Sequence, residues 1–322
     1  STYQAGKVFT VGSHANALQL RFHHFDQAMG LARTPRGLAI GSRRQVWFLA
    51  GMPDLARRLQ PAGQFDVCFL THQSFFTGPI MVHDLGWGEG QLWAVNTLFS
   101  CLCVLDGEHN FVPRWKPSFV SELASQDRCH LNGLAMESGK PRYVTALGQT
   151  DTPAGWRPHK AEAGCLIEVA SGRVLLDNLC MPHSPRCHEG RVWVLNSGKG
   201  ELNRVDPASR TLETVASLPG YTRGLDFLGR YAFVGLSRIR ETSVFGGLPI
   251  AERKDDLQCG VAVVDLTNGQ TVAHLLFRSG VEEIFDVKVV PGFRDPILSG
   301  PLPDVDQTEP IWFAAPFSDG SR

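Results

Sequence analysis

Residues 179–206, LCMPHSPRCHEGRVWVLNSGKGELNRVD, contain the clearest structural unit of the chain. An apolar run around Pro182 is followed by a polar turn at residues 188–190 and by an alternating strand at residues 191–196. A second turn at residues 197–200 leads to a third strand at residues 201–205. Short strands separated by turn residues are typical of an antiparallel sheet. The stretch therefore predicts one complete sheet of an all-β protein.

Fragments of this unit recur along the chain. Aligned on the first strand, they have six anchor positions, namely Arg36, His83, Asn132, His183, Arg223 and Phe285. From Arg36 to Phe285 there are 249 residues and five intervals, so the period is about 50 residues. Six anchors at this spacing predict a six-bladed β-propeller, in which each blade is a four-stranded sheet.

One domain is expected to use all 322 residues, because each propeller blade packs on its neighbours. Two strand-like segments, residues 7–11 and 17–22, precede the first anchor, and little strand pattern follows Pro291. We therefore expect the N-terminal strands to complete the last blade and close the ring, which removes exposed edges. The predicted boundaries are closing strands 1–25, blades 26–80, 81–128, 129–180, 181–220 and 221–280, and a sixth blade with the tail at 281–322.

Charge and composition exclude some function classes. A formal net charge of -1 and a pI of about 6.8 give no electrostatic reason to expect a nucleic acid or an anionic membrane as partner. No apolar run approaches the roughly 20 residues that cross a bilayer, and no signal-peptide pattern is present. The eight cysteines form no CxxC pair, which predicts buried thiols in a reducing compartment. We expect a cytoplasmic protein; a removed presequence and the oligomeric state stay open.

Two long insertions follow the second strands of their blades. They are Gly148 to Gly164 and Ser237 to Gly260. In a propeller, loops between strands two and three lie on the face where the innermost strands begin. We therefore expect both insertions to overhang the mouth of the central channel, where binding residues concentrate. Trp156 and Arg240 in these loops, together with Asn132, are the predicted substrate-binding residues.

Three histidines are expected to point towards the channel axis. His83 and His183 are anchor residues, and His130 lies two residues before Asn132, so it points the same way in an extended strand. Imidazole binds zinc, iron and other transition metals, and three such ligands leave a position open for catalysis. The alternative is a metal-free polar channel, in which the rings bind water or carboxylates, or a purely structural role.

Two arginines at the anchors, Arg36 and Arg223, indicate an anionic substrate. Guanidinium groups bind carboxylates through paired hydrogen bonds. With Glu283 they form the predicted catalytic set. The alternative is that each arginine pairs with a neighbouring carboxylate of the protein.

Several segments carry a resemblance to a known family. They are CHLNGLA from Cys129, YVTALGQTDTPAGWR from Tyr143, MPHSPRCHEGRVWVLNSG from Met181, RGLDFLGRYAFVGLS from Arg223, FGGLPIAER from Phe245 and VEEIFDV from Val281. Over nearly its whole length the chain resembles a family of bacterial conserved hypothetical proteins of unknown function.

More distantly, the blade pattern is similar to NHL-repeat and gluconolactonase-like six-bladed propellers. The former include a peptide-amidating lyase with a channel zinc on three histidines, an arrangement that His83, His130 and His183 resemble. The latter hold a divalent metal with Glu, Asn and Asp, of which only Asn132 has a match here.

Two functions from different classes follow. The first is a metal-dependent enzyme of the lyase or hydrolase type, with zinc or iron as the divalent metal. It would act on a small anionic or peptide-like substrate at the channel mouth. The alternative is a non-catalytic binding or scaffold propeller that docks a peptide or protein on its top face.

Overall fold

The computed structural model describes residues 1–239 and 246–315. In these ranges the chain begins with a hairpin and continues through five sheets, the blades, of which four have four antiparallel strands and the first gains a fifth strand from the end of the chain. The hairpin and first blade are β1 (Lys7–His14), β2 (Ala17–His24), β3 (Leu31–Thr34), β4 (Gly37–Gly41), β5 (Gln45–Met52) and β6 (Val67–Phe76). The second and third blades are β7 (Val82–Gly88), β8 (Gln91–Asn96), β9 (Cys101–Val104), β10 (Val112–Trp115), β11 (Leu131–Glu137), β12 (Lys140–Ala146), β13 (Gly164–Glu168) and β14 (Val174–Leu179).

The fourth and fifth blades are β15 (Pro182–His188), β16 (Arg191–Asn196), β17 (Glu201–Asp206), β18 (Thr211–Ser217), β19 (Tyr221–Leu228), β20 (Tyr231–Ser237), β21 (Gly260–Asp265) and β22 (Gln270–Leu276). A last strand, β23 (Pro296–Ser299), pairs in parallel with β6. Helices are short, namely α1 (Pro53–Ala56), α2 (Pro303–Asp306) and three 3-10 segments at Arg157–His159, Ser197–Lys199 and Pro249–Asp256. None of the helices in the described ranges is long and apolar enough to span a membrane.

The core lies between neighbouring blades. In the fourth blade, Trp193, Leu195 and Leu202 pack against Leu225 and Phe227 of the fifth blade. Alternating side chains of each strand point to opposite faces of the sheet, so each blade buries apolar residues on both neighbours. All eight cysteines are free thiols, and all except Cys187 are buried.

The predicted count of six blades is wrong, because the described residues form five. The sixth anchor lies in a segment without assigned strands, residues 284–290, that makes no sheet of its own. This segment still lies between the fifth and first blades. Asp226 accepts a hydrogen bond from the backbone N–H of Val289 at 2.8 Å, and Asp286 accepts one from that of Leu31 at 2.8 Å.

The N-terminal strands do not form a four-stranded blade with this segment. Within the described ranges, β1 and β2 pair only with each other, in register from Lys7 opposite His24 to His14 opposite Ala17. Residues 1–3 run beside the inner segment instead, and the N–H of Phe285 donates to the carbonyl of Ser1 at 2.9 Å. After residue 290 the chain returns to the first blade as β23.

The first blade is shifted by one strand from the sequence alignment. Residues 35 and 36 form the turn between β3 and β4, so the inner strand is β3 and the aligned Gly-Leu pair opens β4. Gly37 is required there for a local reason. Its φ is +150°, and a Cβ atom at this position would lie 2.2 Å from the carbonyl oxygen of Leu49.

Arg186 of β15 crosses the channel and joins four blades. Its guanidinium donates to Asp84 of β7 at 2.8 Å and to the backbone carbonyls of Leu134 and Leu225, each at 2.9 Å. Asp286 lies 3.6 Å away from the same group. The side chains of Arg186 and Asp84 are only 12% and 4% exposed, so this ion pair is largely shielded from water.

Candidate functional site

Four inner strands contain a bulge near their first residues. The ladder shifts register between Val82 and Leu85, Leu131 and Gly133, His183 and Arg186, and Thr222 and Leu225. A bulge leaves a residue outside the regular ladder and turns its side chain. The residues at or inside these four shifts include the anchors His83, Asn132, His183 and Arg223.

His130 is held by a carboxylate and an indole. Its Nδ1 lies 2.9 Å from both carboxylate oxygens of Asp127, and the Nε1–H of Trp156 donates to Asp127 at 3.1 Å. The rings of His130 and Trp156 have centroids 4.4 Å apart. A carboxylate at Nδ1 favours the tautomer with an unprotonated Nε2, and it stabilises the imidazolium when Nε2 takes up a proton.

His83 and His183 are anchored through main-chain carbonyls. The Nδ1 of His83 lies 3.1 Å from the carbonyl of Met81, and the Nδ1 of His183 lies 2.8 Å from that of Met181. Burial is the largest cause that lowers the pKa of each ring well below 6.5. Neighbouring His130 and Arg223 lower the pKa of His83 further, and Arg223 does the same for His183. Both imidazoles are therefore neutral at pH 7.

Arg223 gives the site one largely buried positive charge. Its guanidinium lies over the ring of Phe285, 3.4 Å from the centroid, and 3.8 Å from a carboxylate oxygen of Glu283. The other oxygen of Glu283 accepts hydrogen bonds from the backbone N–H groups of Tyr3 and Gln4, each at 3.0 Å. Within the described ranges Arg223 makes no shorter polar contact, so its donors can bind an anionic ligand.

Asn132 carries a spare hydrogen-bond donor. Its side-chain oxygen accepts a bond from the hydroxyl of Thr145 at 2.7 Å, and its buried Nδ2 has no partner among the described residues. A buried amide without a partner costs free energy, which a ligand oxygen would recover.

The described parts of the two insertions pack together beside the histidines. Leu147 and Trp156 form one buried cluster with Leu248, Ile250 and Leu257, and this cluster also includes Met181 and Tyr221. The ring of Tyr221 lies 5.8 Å from that of His183. Arg240, the other loop residue predicted to bind substrate, lies outside the described residues.

Arg36 is not part of this cluster. It is exposed in the turn between β3 and β4 and lines a groove with Trp87 and Gly90, at the end of β7. His83 lies at the opposite end of β7. The one-strand shift of the first blade explains the difference, because the sequence alignment placed a turn residue on the inner strand.

The histidines do not form a ready metal site. No three His, Cys, Asp or Glu side chains of residues 1–239 and 246–315 are arranged to hold an ion. His83 and His130 are in edge contact, with centroids 4.8 Å apart, whereas His183 contacts Tyr221 and Ser197. The binding of a zinc or iron ion by all three rings stays a prediction. The arrangement of the rings described here does not fit it.

Sequence reasoning missed Asp127 and Tyr221 as neighbours of the histidines. Asp127 could have been found, since it stands three residues before His130 in the same short segment. Tyr221 stands two residues before Arg223, the same offset as that of His130 from Asn132.

We expect the free energy of unfolding to fall as the pH is lowered below about 6.5, the ordinary pKa of histidine. Because burial depresses the pKa of His83 and His183 in the folded state, the unfolded chain binds more protons in this range. Urea unfolding between pH 5 and 7.5 measures the slope. A His183→Gln variant should show a shallower slope than the wild type; an equal slope would contradict the assignment.

The family of the chain is established by a model that matches residues 1–298. It is described as Domain of unknown function (DUF4915). The chain belongs to the DUF4915 family. No curated protein matches the sequence of this DUF4915 protein.

Solved structures resemble the fold at low sequence identity. A gluconolactonase from Xanthomonas campestris, XC5397, is 15% identical with a TM-score of 0.52, covering 78% of this chain and 76% of that one. A chain of a nidogen/laminin complex is 10% identical with a TM-score of 0.50, covering 88% and 97% respectively. At these identities the likeness shows the propeller fold alone.

Proposed function

We propose that this DUF4915 protein is an enzyme of the lyase or hydrolase type. It acts on a small substrate that carries an anionic group, at the mouth of the central channel. The observation behind this proposal is the pairing of Asp127 with His130 next to neutral His83, within electrostatic reach of Arg223. A general base held by a carboxylate, together with a largely buried cation that binds the substrate's anionic group, is sufficient for proton transfer.

His130 acts as the base in this proposal. For hydrolysis, its Nε2 takes a proton from water, whose oxygen attacks the substrate's carbonyl carbon, and the alcohol leaves with that proton. For elimination, it takes a proton from the carbon next to the substrate's carboxylate, the C–H electron pair forms the double bond, and the β-substituent leaves with its own bonding pair. Asp127 stabilises the resulting imidazolium, and Trp156 keeps Asp127 in place through its indole N–H. The ring of Trp156 also covers one side of His130 and excludes water there.

Arg223 binds the anionic group in this proposal. Glu283 and the ring of Phe285 limit the movement of the guanidinium. Because the carboxylate oxygen of Glu283 is 3.8 Å away, the positive charge stays available to a ligand. Asn132 supplies a further donor through its unpaired Nδ2, suited to an oxygen atom that gains negative charge during the reaction.

A panel of substrates tests the proposed function. Purified protein is offered small lactones, carboxylate esters and β-substituted carboxylates. Proton release reports hydrolysis, and ultraviolet absorbance of a new double bond reports elimination. We expect turnover of at least one carboxylate-bearing compound in the presence of a chelator, because the proposed base needs no metal.

The same panel distinguishes this proposal from the metal-dependent enzyme and from the binding propeller. Turnover only with added Zn²⁺ or Fe²⁺ would replace this mechanism with the metal-dependent one, since a metal would occupy the same Nε2 lone pairs. Saturable binding of a peptide or protein without any turnover would favour the binding or scaffold propeller.

A further inference from the structure

A second cavity lies on the other side of the inner segment 284–290, between the fifth and first blades. Its volume is about 450 Å³. It exists because no sheet fills the space outside this segment, which the hairpin β1–β2 covers only in part. The lining is mainly apolar and includes Val11, Leu18, Ile40, Phe69, Phe233 and Leu275.

Among the described residues that line the cavity, Lys288 is the one lysine or arginine. Its side chain is only 11% exposed, and its nearest charged partner is Asp286, with 3.9 Å between Nζ and a carboxylate oxygen. Asp286 already accepts hydrogen bonds from the backbone N–H groups of Leu31 and Val287, both at 2.8 Å. Lys288 makes no hydrogen bond within the described ranges, so its three donors are unused.

An ammonium group with unused donors in apolar surroundings is costly unless an acceptor reaches it. The surrounding walls offer mainly hydrocarbon contacts. A ligand that suits both features has one anionic oxygen group and a long apolar body. The volume lies within the range of small-molecule sites, roughly 300–1,000 Å³.

We propose that this cavity binds an aliphatic carboxylate, with the carboxylate on Lys288 and the hydrocarbon chain between the blades. The ligand enters past Val11 and Leu18, which are 42% and 69% exposed at the hairpin. This site is separate from the histidine site. Phe285 contacts Arg223 and His83, whereas Lys288, three residues further along, contacts the cavity.

Calorimetric titration with dodecanoate, below its micelle concentration, tests the proposal on the full chain. We expect saturable binding with a dissociation constant in the roughly micromolar range. Lys288→Met should weaken dodecanoate binding by at least about tenfold, because a charge-assisted contact is lost. The same variant should bind dodecanol as well as the wild type does, since the apolar walls are intact.

Two neighbouring positions on β22 provide a matched pair. Ala273 and Val272 are both exposed, but of the two only Ala273 lines the cavity, because a shift in the β21–β22 ladder leaves Val272 outside the regular pairing. Ala273→Trp should abolish binding of dodecanoate, and Val272→Trp should leave it unchanged. Circular dichroism and thermal unfolding verify that each variant is folded. Absence of saturable binding to the wild type, or equal binding by wild type and Lys288→Met, would overturn the proposal.

Discussion

Arg186→Met is expected to lower the free energy of unfolding at pH 7 by about 3–5 kcal/mol. Methionine keeps an apolar stem of similar length but removes every donor. The change leaves Asp84 buried without its cation and leaves the carbonyls of Leu134 and Leu225 without the guanidinium N–H. Removing one member of a buried pair costs more than the pair itself contributes, because the remaining charge stays out of water.

The pH dependence of this variant distinguishes a charge effect from a packing effect. Burial already raises the pKa of Asp286, and loss of Arg186 removes a neighbouring positive charge. Asp286 should therefore bind a proton more readily in the folded variant than in the folded wild type, so the stability deficit of the variant should shrink as the pH falls from 7 towards 5. A deficit independent of pH would indicate that lost packing is responsible.

Arg204→Met provides the control. Arg204 pairs with Glu213 on the outer strands β17 and β18, where both side chains are at least one third exposed. Exposed ion pairs contribute little, so the loss should stay below about 1 kcal/mol. Chemical denaturation of the wild type and both variants measures the difference. Similar losses in the two variants would show that Arg186 is not a special link between blades.

His130→Gln is expected to lower kcat by a factor of about 10² to 10⁴ on any substrate that the panel identifies, because the general base is removed. Asp127→Asn should give a loss of the same order, since an amide can no longer stabilise the imidazolium. Arg223→Met should act mainly through a higher KM if it binds the anionic group equally in ground and transition states. Steady-state kinetics of the three variants separates these effects.

His188→Gln is the matched control for the imidazole. His188 lies at the far end of β15, where its Nε2 contacts the carbonyl of Gly229 at 2.8 Å and its ring stacks on Phe227. Its replacement should leave kcat and KM unchanged. If His130→Gln retains wild-type kcat while remaining folded, His130 is not the base.

Much of the fold was predictable from the sequence because a propeller repeats its hydrophobic pattern. The fourth blade shows this best, since its strands were expected within a residue or two of β15 to β17. The blade count failed because VEEIFDV has the pattern of an inner strand, while a blade needs three more strands that pair with it. The parallel return of β23 to β6 leaves no local signal in the sequence.

The site was predictable where local spacing determined it. His83, His183 and Arg223 were placed by the repeat, and their neighbourhood follows from the bulge positions. Arg36 was misplaced because Gly37 and Leu38 resemble the Gly-Leu pair that follows the anchor of an inner strand. Glycine is needed at position 37 for a different reason, its positive φ. The contact of Arg186 with Asp84 joins residues 102 positions apart, and no periodicity indicates which arginine crosses the channel.

The bulges at the starts of the inner strands have a consequence for how such a protein can change. Side chains at these positions come together at the histidine site, where His83 and Arg223 contact the same ring of Phe285. At or inside these bulges the four blades carry two histidines, an asparagine and an arginine. A substitution at one of these bulges can therefore change the chemistry of the site in one blade, while the sheets that support it keep their structure.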